Sequence, residues 1–352
     1  MHIGLTIYGS LSERSGGFRY DRELLRHLKY AGHRVSVVEL PWRWYPRGLL
    51  DSVAPAMGRA LDVDVDVMLQ DELAHPSLLG HTDRLSYPVV SIVHHLRAAE
   101  HRPLAPLYRA IEYRYLRSVD GVICNSTATR ETVLDAGIPE RTTLVVPPAG
   151  DQFDPTMTAD AITQRAHEGP LRLVFLGNLI ERKGLDTLIK GLSSVTADWT
   201  LTVVGHPTDR AYTRRVRTLI ERNGLTEAVT MAGELTDTEL RSVLRESHLL
   251  AVPSQYEGFG IVYLEGMSFG LPAIATTAGG ATDIVSDGTT GVLVNPGDAT
   301  AITTAVQTLA NNRDRLAEMG TAARARYERH PTWAESASRV ETFLEDIRAA
   351  DR

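Results

Sequence analysis

The chain has 352 residues, 43% apolar and 23% charged, with a net charge of -7 and one cysteine, Cys124. This length exceeds one ordinary core, so two globular domains are expected. The acidic balance argues against broad nucleic-acid binding, and a lone cysteine excludes an internal disulfide or a multi-cysteine metal site. Residues 1–7 read as a first strand rather than a signal peptide, and no run approaches the ~20 apolar residues of a membrane span. A cytoplasmic protein is the expectation.

Strand-like runs alternate with helical periods, the pattern of parallel α/β domains. In the first half the strands are predicted at 3–8, 34–39, 65–69, 89–94, 121–124 and 143–146, with the clearest helix over 18–30. Residues 154–170 show no apolar period and read as a linker. The pattern then restarts with a strand from Leu171. Further strands are predicted at 201–204, 229–232, 249–252, 272–275 and 291–294, with helices between. The domains are therefore placed at 1–153 and 171–330. A helical tail over 331–352 packs either on its own domain or back on the first. In doubly wound sheets of this kind ligands bind at the strand C-termini, so two such domains are expected to face each other across a cleft.

Gly16-Gly17 follows the first strand and reads as a turn that lets a phosphate or substrate approach the backbone. No G-x-G-x-x-G is present, which counts against a dinucleotide oxidoreductase. His94 ends the run from Val89 and can bind a substrate hydroxyl or steady a polar transition state. Asp71-Glu72, past the third strand, are expected to line the cleft. Asp62, Asp64 and Asp66 form an Asp-x-Asp run, but the alternation continues into Val67-Met68-Leu69, so a strand start is favoured over a metal site. Trp42, Arg43, Trp44 and Arg47, and the later Arg97, Arg102, Arg109, Arg114 and Arg117, suit membrane-surface contact or acceptor recognition. Packed loop aromatics and a solvated arginine face explain them equally simply, and the acidic balance favours that reading.

The densest chemistry lies at Ser254-Gln255-Tyr256-Glu257-Gly258-Phe259-Gly260-Ile261-Val262-Tyr263-Leu264-Glu265. Glu257 is predicted in the loop after a strand and Glu265 about two turns into the next helix. On one continuous helix the two carboxylates would stand about 80° apart. With a loop before the helix both can face one cleft, beside free N–H groups near Gly260 and Ile261 that favour anions, phosphate above all. Arg182 and Lys183 follow the first strand of the second domain and can balance a diphosphate there.

Glu257 to Glu265 resembles the Glu-x7-Glu motif of retaining nucleotide-sugar glycosyltransferases of family 4, which have the GT-B fold. The runs 177–184, 254–260, 270–272, 279–280 and 287–291 fall in that family's order. Gly16-Gly17 and His94 fit its N-terminal half more loosely. The resemblance implies two Rossmann-like domains, the second holding a nucleotide-diphosphate sugar and the first an unidentified hydroxyl acceptor. It implies that Glu265 accepts from the ribose hydroxyls and that Glu257 and the N–H groups of Phe259, Gly260 and Ile261 grip the donor sugar. Lys183, with Arg182, would neutralise the leaving diphosphate, and His94 would lie near the reacting centre. Neither a metal nor another cofactor is implied. The family often has Arg directly after the glycine equivalent to Gly177, where this chain has Asn178, so Arg182 takes that duty or phosphate is held more weakly. An epimerase or phosphorylase on the same fold, or a non-catalytic nucleotide-sugar-binding protein, is the alternative.

Overall fold

The computed structural model describes residues 1–13, 15–99, 104–151, 153 and 155–350. Arg102, the first residue of the expected linker (Asp154) and the last two of the expected tail (351 and 352) lie outside these. The chain divides into two compact units. One comprises Met1–Ala149 with Pro331–Arg352, the other Gly150–His330.

The first unit holds a parallel sheet of β1 (His2–Tyr8), β2 (Arg34–Leu40), β3 (Val67–Asp71), β4 (Val89–Val93), β5 (Gly121–Cys124) and β6 (Thr143–Val145), in the order 2-1-3-4-5-6. The second holds β7 (Leu171–Leu176), β8 (Trp199–Val204), β9 (Val229–Gly233), β10 (Leu249–Ala251), β11 (Ala273–Thr276) and β12 (Gly291–Val294), in the order 12-11-10-7-8-9, again parallel. Helices cover such sheets on both faces, so inner strands are apolar throughout rather than alternating. Every residue of β4, β5, β10 and β11 is buried. In each unit the order reverses once, between β1 and β3 in the first and between β7 and β10 in the second. Chain crossovers leave in opposite directions there, opening a crevice at the strand C-termini.

Four readings of the sequence change. Residues 154–170 are not a bare linker, because Ala159–Ala166 is a helix capped by Thr158, whose side chain accepts from the Ala161 N–H. Its buried face is Ile162, Arg165 and Ala166, and it belongs to the second unit. Gly16 and Gly17 are not in a turn before the helix. They form the first turn of the helix Gly16–Tyr30, which Ser15 caps by accepting from the Phe18 N–H. The third strand opens at Val67, not 65, because the Asp66 carboxylate accepts the His2 N–H at 2.7 Å and pairs with Arg348 at 3.0 Å. The helix Ile261–Ser268 places Glu265 fifth, just past one turn rather than two.

The tail helix Trp333–Ala350 packs in the first unit. Trp333, Val340, Phe343, Leu344 and Ile347 share an apolar cluster with Ile3, Tyr20, Leu24 and Leu28. Trp333 meets the Tyr20 ring edge-on at 5.3 Å, and Glu341 bonds His33 at 2.7 Å. Cys124 is fully buried, and burial pushes its thiol up to about 12. Among the described residues no helix is long and apolar enough to cross a membrane.

Arg165 is a structural cation. Buried to 7% exposure, it donates to the carbonyls of Arg245 (3.1 Å), Phe269 (3.0 Å) and Gly270 (2.9 Å). These lie at two helix ends, where carbonyls lack intrahelical donors. Arg165→Leu strips all three at once and is expected to destabilise the second unit by about 3 kcal/mol, since each orphaned buried acceptor costs roughly 1–3 kcal/mol with partial hydration offsetting the rest. Urea unfolding measures this, and an unchanged midpoint would show the arginine to be dispensable.

Candidate active site

In the second unit the crevice between β7 and β10 is occupied by charge. The segment after β7 carries Arg182 and Lys183; the segment after β10 carries Glu257. Lys183 Nζ donates to Glu257 Oε1 at 2.6 Å, and Ser254 Oγ donates to the same oxygen at 2.5 Å. Arg182 Nη1 lies 3.6 Å from Glu257 Oε2 and donates to the Tyr256 carbonyl at 2.6 Å. The Gln255 N–H returns a bond to the Arg182 carbonyl at 2.7 Å. Lys183 therefore makes the close ion pair, while Arg182 divides its donors between the pair and the backbone. Asn178, which stands where the family often has an arginine, accepts the Ile180 N–H at 2.9 Å through its main-chain carbonyl.

Glu257 is 5% exposed. Burial alone would raise its carboxyl, but the Lys183 and Arg182 charges, with the hydrogen bonds from Lys183 and Ser254, outweigh it and hold the group at about 2. It is an ionised carboxylate with its donors already in place. Its backbone is fixed too, because the Gly280 N–H donates to the Glu257 carbonyl at 2.8 Å and Glu257 and Gly279 form a bridge. Gly279 has φ +77°, and a Cβ there would stand 2.0 Å from that carbonyl oxygen, so only glycine fits.

From Glu257 the chain enters the helix Ile261–Ser268. Gly260 is its N-cap at φ +92°, a left-handed start that leaves the first N–H groups without a side-chain cap. Phe259 is buried and meets the His330 ring at 5.9 Å, so it is anchored through its side chain, and only its backbone can serve a ligand. Glu265 is 7% exposed on a helix whose residues from Tyr263 to Ser268 are all buried. The Tyr263 hydroxyl locks that helix to β10 by donating to the Val252 carbonyl at 2.8 Å, and Thr276 holds the Ser254 carbonyl at 2.6 Å. Lys183, Arg182 and Glu257 are thus in contact, and Phe259, Gly260, Ile261 and Glu265 follow Glu257 on the same loop and helix. The chain here supplies two cations against a preorganised carboxylate, then a helix N-terminus and a second carboxylate. Such a set can hold an anionic group against the cations and helix end while carboxylates accept from hydroxyls.

In the first unit His94 follows β4. Its Nε2 lies 3.1 Å from Asp21 Oδ1, its N–H donates to Glu72 Oε2 at 3.0 Å, and its carbonyl accepts from Asn125 Nδ2 at 2.8 Å. A Cβ on Gly17 would stand 3.1 Å from the His94 ring, so this glycine leaves room for the imidazole; Gly16 has nothing within 4 Å. Two buried carboxylates pin the chain after β4. Glu72 accepts from His94 and His95, and Glu112 accepts from the N–H groups of Arg97 (2.7 Å) and Ala98 (3.0 Å). Asp71 and Glu72 are buried at 2% and 6% exposure and act inward on His94 rather than as a lining.

Sequence reasoning missed Asp21 and passed over the separate parts of Ser254 and Gly279. Asp21 had a local signal, since it lies on the helix face of Phe18, Leu24, Leu25 and Leu28, where an unpartnered charge is costly. Gly279 stood out only within the family's run 279–280, and its contact with the Glu257 carbonyl carries no local signal.

A family profile described as glycosyltransferase family 4 matches residues 14–151, and one described as glycosyl transferases group 1 matches residues 158–326. The chain is 30% identical over 262 residues to a GDP-mannose-dependent alpha-(1-6)-phosphatidylinositol monomannoside mannosyltransferase of Mycobacterium tuberculosis, covering 70% of this chain and 67% of that protein. It is 29% identical over 262 residues to a D-inositol 3-phosphate glycosyltransferase of Corynebacterium kroppenstedtii, covering 70% of this chain and 57% of that one. The chain thus spans less than two thirds of that relative's length. The fold matches sucrose-phosphate synthase of Thermosynechococcus elongatus with a TM-score of 0.83 at 23% identity over 99% of both chains. It also matches HepE of Anabaena, solved with UDP and glucose, with a TM-score of 0.81 at 19% identity over 98% of this chain and 100% of that one. These structural likenesses identify the architecture as GT-B, and with the profiles spanning both units, the chain belongs to glycosyltransferase family 4.

Proposed function

We propose that the chain is a retaining glycosyltransferase that moves a sugar from a nucleotide-diphosphate sugar to a hydroxyl acceptor. The Lys183–Glu257 pair carries this reading, since it fixes a cation at the C-terminal end of β7 beside an uncapped helix N-terminus. A diphosphate leaving group develops negative charge as the glycosidic bond breaks. Lys183, with Arg182 behind it, and the N–H groups at Gly260 and Ile261 are the preorganised donors for that charge. Their positive charge serves where a metal would otherwise be needed, so the proposed transfer requires none. Glu265 accepts from the ribose hydroxyls. Glu257, already ionised, accepts from the donor sugar while steadying Lys183. The first unit binds the acceptor, with His94 near the reacting oxygen. Attack from the face that the leaving group vacates, through an oxocarbenium-like state, retains the configuration. The donor's base and sugar are open among the classes named for the relatives, GDP-mannose and UDP-glucose among them. A cytoplasmic location with contact at a membrane surface belongs to the same proposal, supported by Trp44 at 74% exposure and Trp42 at 50%.

A thermal-shift and turnover screen against UDP-, GDP- and ADP-sugars tests the reading. One donor is expected to raise the melting temperature by mass action and to turn over, and an absence of both for every donor would overturn it. Glu265→Ala is expected to weaken nucleotide binding by about tenfold or more, the cost of hydrogen bonds to a charged group. Lys183→Ala is expected to lower kcat by about 30- to 1000-fold, equivalent to ~2–4 kcal/mol of transition-state stabilisation. Wild-type values in both variants would refute the assigned roles.

The ion pair also has a pH signature. Because the Glu257 carboxyl is depressed to about 2 in the fold, its stabilisation is complete above the unfolded carboxylate range and is lost as pH falls toward that value. The stability difference between wild type and Glu257→Gln in urea is therefore expected to stay flat from about pH 8 to about pH 5 and to shrink below about pH 4. A difference that grows with acid would contradict the pairing.

A further inference from the structure

His94 Nε2 faces Asp21 Oδ1 at 3.1 Å, and Asp21 is fully buried. The donor atoms of Asp21, Asp71 and His94 all lie within 4.8 Å of one another. Asp71 Oδ1 accepts the Leu73 N–H at 2.9 Å, yet among the described residues Asp21 Oδ2 is buried with no donor. With both carboxylates ionised and one imidazolium, this buried group carries a net negative charge and an orphaned acceptor, which are each costly. A single proton on Asp71, directed at Asp21, removes both faults. The Asp21–Asp71–His94 set becomes neutral, and Asp21 Oδ2 gains a donor.

We propose that Asp71 carries a proton that it directs at Asp21 and that the two together hold His94 as an imidazolium, making both of them positioning residues for the transfer. The consequence lies in the ring's second nitrogen. With Nε2 committed to Asp21 as a donor, a neutral ring would offer Nδ1 only as an acceptor. A charged ring offers Nδ1–H as a donor to a substrate oxygen. The two carboxyls therefore decide which chemistry His94 can perform.

Every element packed on the ring is consistent with this. The helix Gly16–Tyr30 presents Asp21 and the Tyr20 ring, edge-on at 5.1 Å. The end of β3 presents Asp71 and then Glu72, which accepts the His94 N–H. Beyond Tyr20 lie Cys124 of β5 and Arg339 of the tail helix, and Arg339 is the one cation among them. Burial first, and then the Asp21 charge, hold the Asp71 carboxyl above the usual carboxylate range. Burial opposes charge on His94, but Asp21, Asp71 and Glu72 outweigh it and raise the ring to about 9.

The test has an arm that does not depend on activity. In the full chain, labelled-imidazole NMR is expected to show His94 protonated at about pH 7.5 and titrating near the raised value. In Asp21→Asn the ring is expected to be neutral at that pH. Asp71→Asn, whose amide imitates a protonated carboxyl, is expected to leave His94 charged. An ordinary His94 titration in the wild type, or one unmoved by Asp21→Asn, would overturn the proposal. So would loss of the charge in Asp71→Asn, or a titration displaced by added Mg2+ or Zn2+, which would mean that the carboxyls hold an ion. The kinetic arm rests on the transferase reading above. In Asp21→Asn the alkaline limb of kcat should move to lower pH, with about a tenfold loss at a given alkaline pH for each unit the ring falls below it, and recovery in acid. If no donor turns over, that reading fails and the NMR arm still decides this one. If transfer proceeds with an unmoved His94 titration, only this inference fails.

Discussion

A carboxylate removed from water survives as an ion only where its partners are fixed. Glu257 meets that condition through residues from three separate stretches of chain. Lys183 comes from the segment after β7, Ser254 from its own loop after β10, and the clamp on its backbone from Gly279 and Gly280 after β11. The Ser254 bond is local, but the contacts from Lys183 and from Gly279 and Gly280 form only where β7, β10 and β11 lie side by side and parallel with their C-termini at one edge. The strand order 12-11-10-7-8-9 supplies that arrangement. The fold is thus the means by which a lysine and a glutamate distant in sequence are held in hydrogen-bond contact.

The pair also explains why the surroundings are so apolar. The helix Ile261–Ser268 is buried on nearly every side, and its tie to the Val252 carbonyl by Tyr263 leaves it little freedom to shift. A rigid, poorly hydrated wall strengthens the field of Lys183 and the helix end at any anion placed between them. On the proposed reading, the reorganisation that water would need at the moment of bond breaking has been completed during folding.

Much of this architecture is legible in the sequence for a physical reason. Parallel strands buried on both faces read as unbroken apolar runs, and the readings of all twelve fall within two residues of the observed bounds, the widest offsets being at both ends of β3 and at the start of β8, where flanking Trp199 joins the pairing. The helix Ala159–Ala166 escaped notice because one of its three buried residues is Arg165, whose charge hides the period. Gly16-Gly17 suggested a turn because glycine is a poor helix former, but Ser15 supplies the missing cap and Gly17 is needed for the His94 ring. At the site, Glu257 and Glu265 stand out by spacing and flanking glycines. That Glu257 is already paired with Lys183 is not visible locally, since 74 positions separate them. Family resemblance found the residues; only the strand order explains their contact.

The two units solve the same topological problem and then diverge in charge. At its crevice the second unit gathers two cations around Glu257 beside an uncapped helix start, an arrangement that on the proposed reading suits a diphosphate. Beyond its own strand ends the first gathers Asp21, Asp71 and Glu72 around one histidine, a surplus of negative charge that forces proton uptake and raises the ring. A hydroxyl acceptor carries no charge to be matched, so a cationic crevice would gain nothing there. A buried imidazolium whose charge is offset by the carboxyls around it can meet a sugar or hydroxyl oxygen without attracting the phosphate and is the better fit. On the proposed reading, this contrast between two copies of one fold suits a division between donor and acceptor binding.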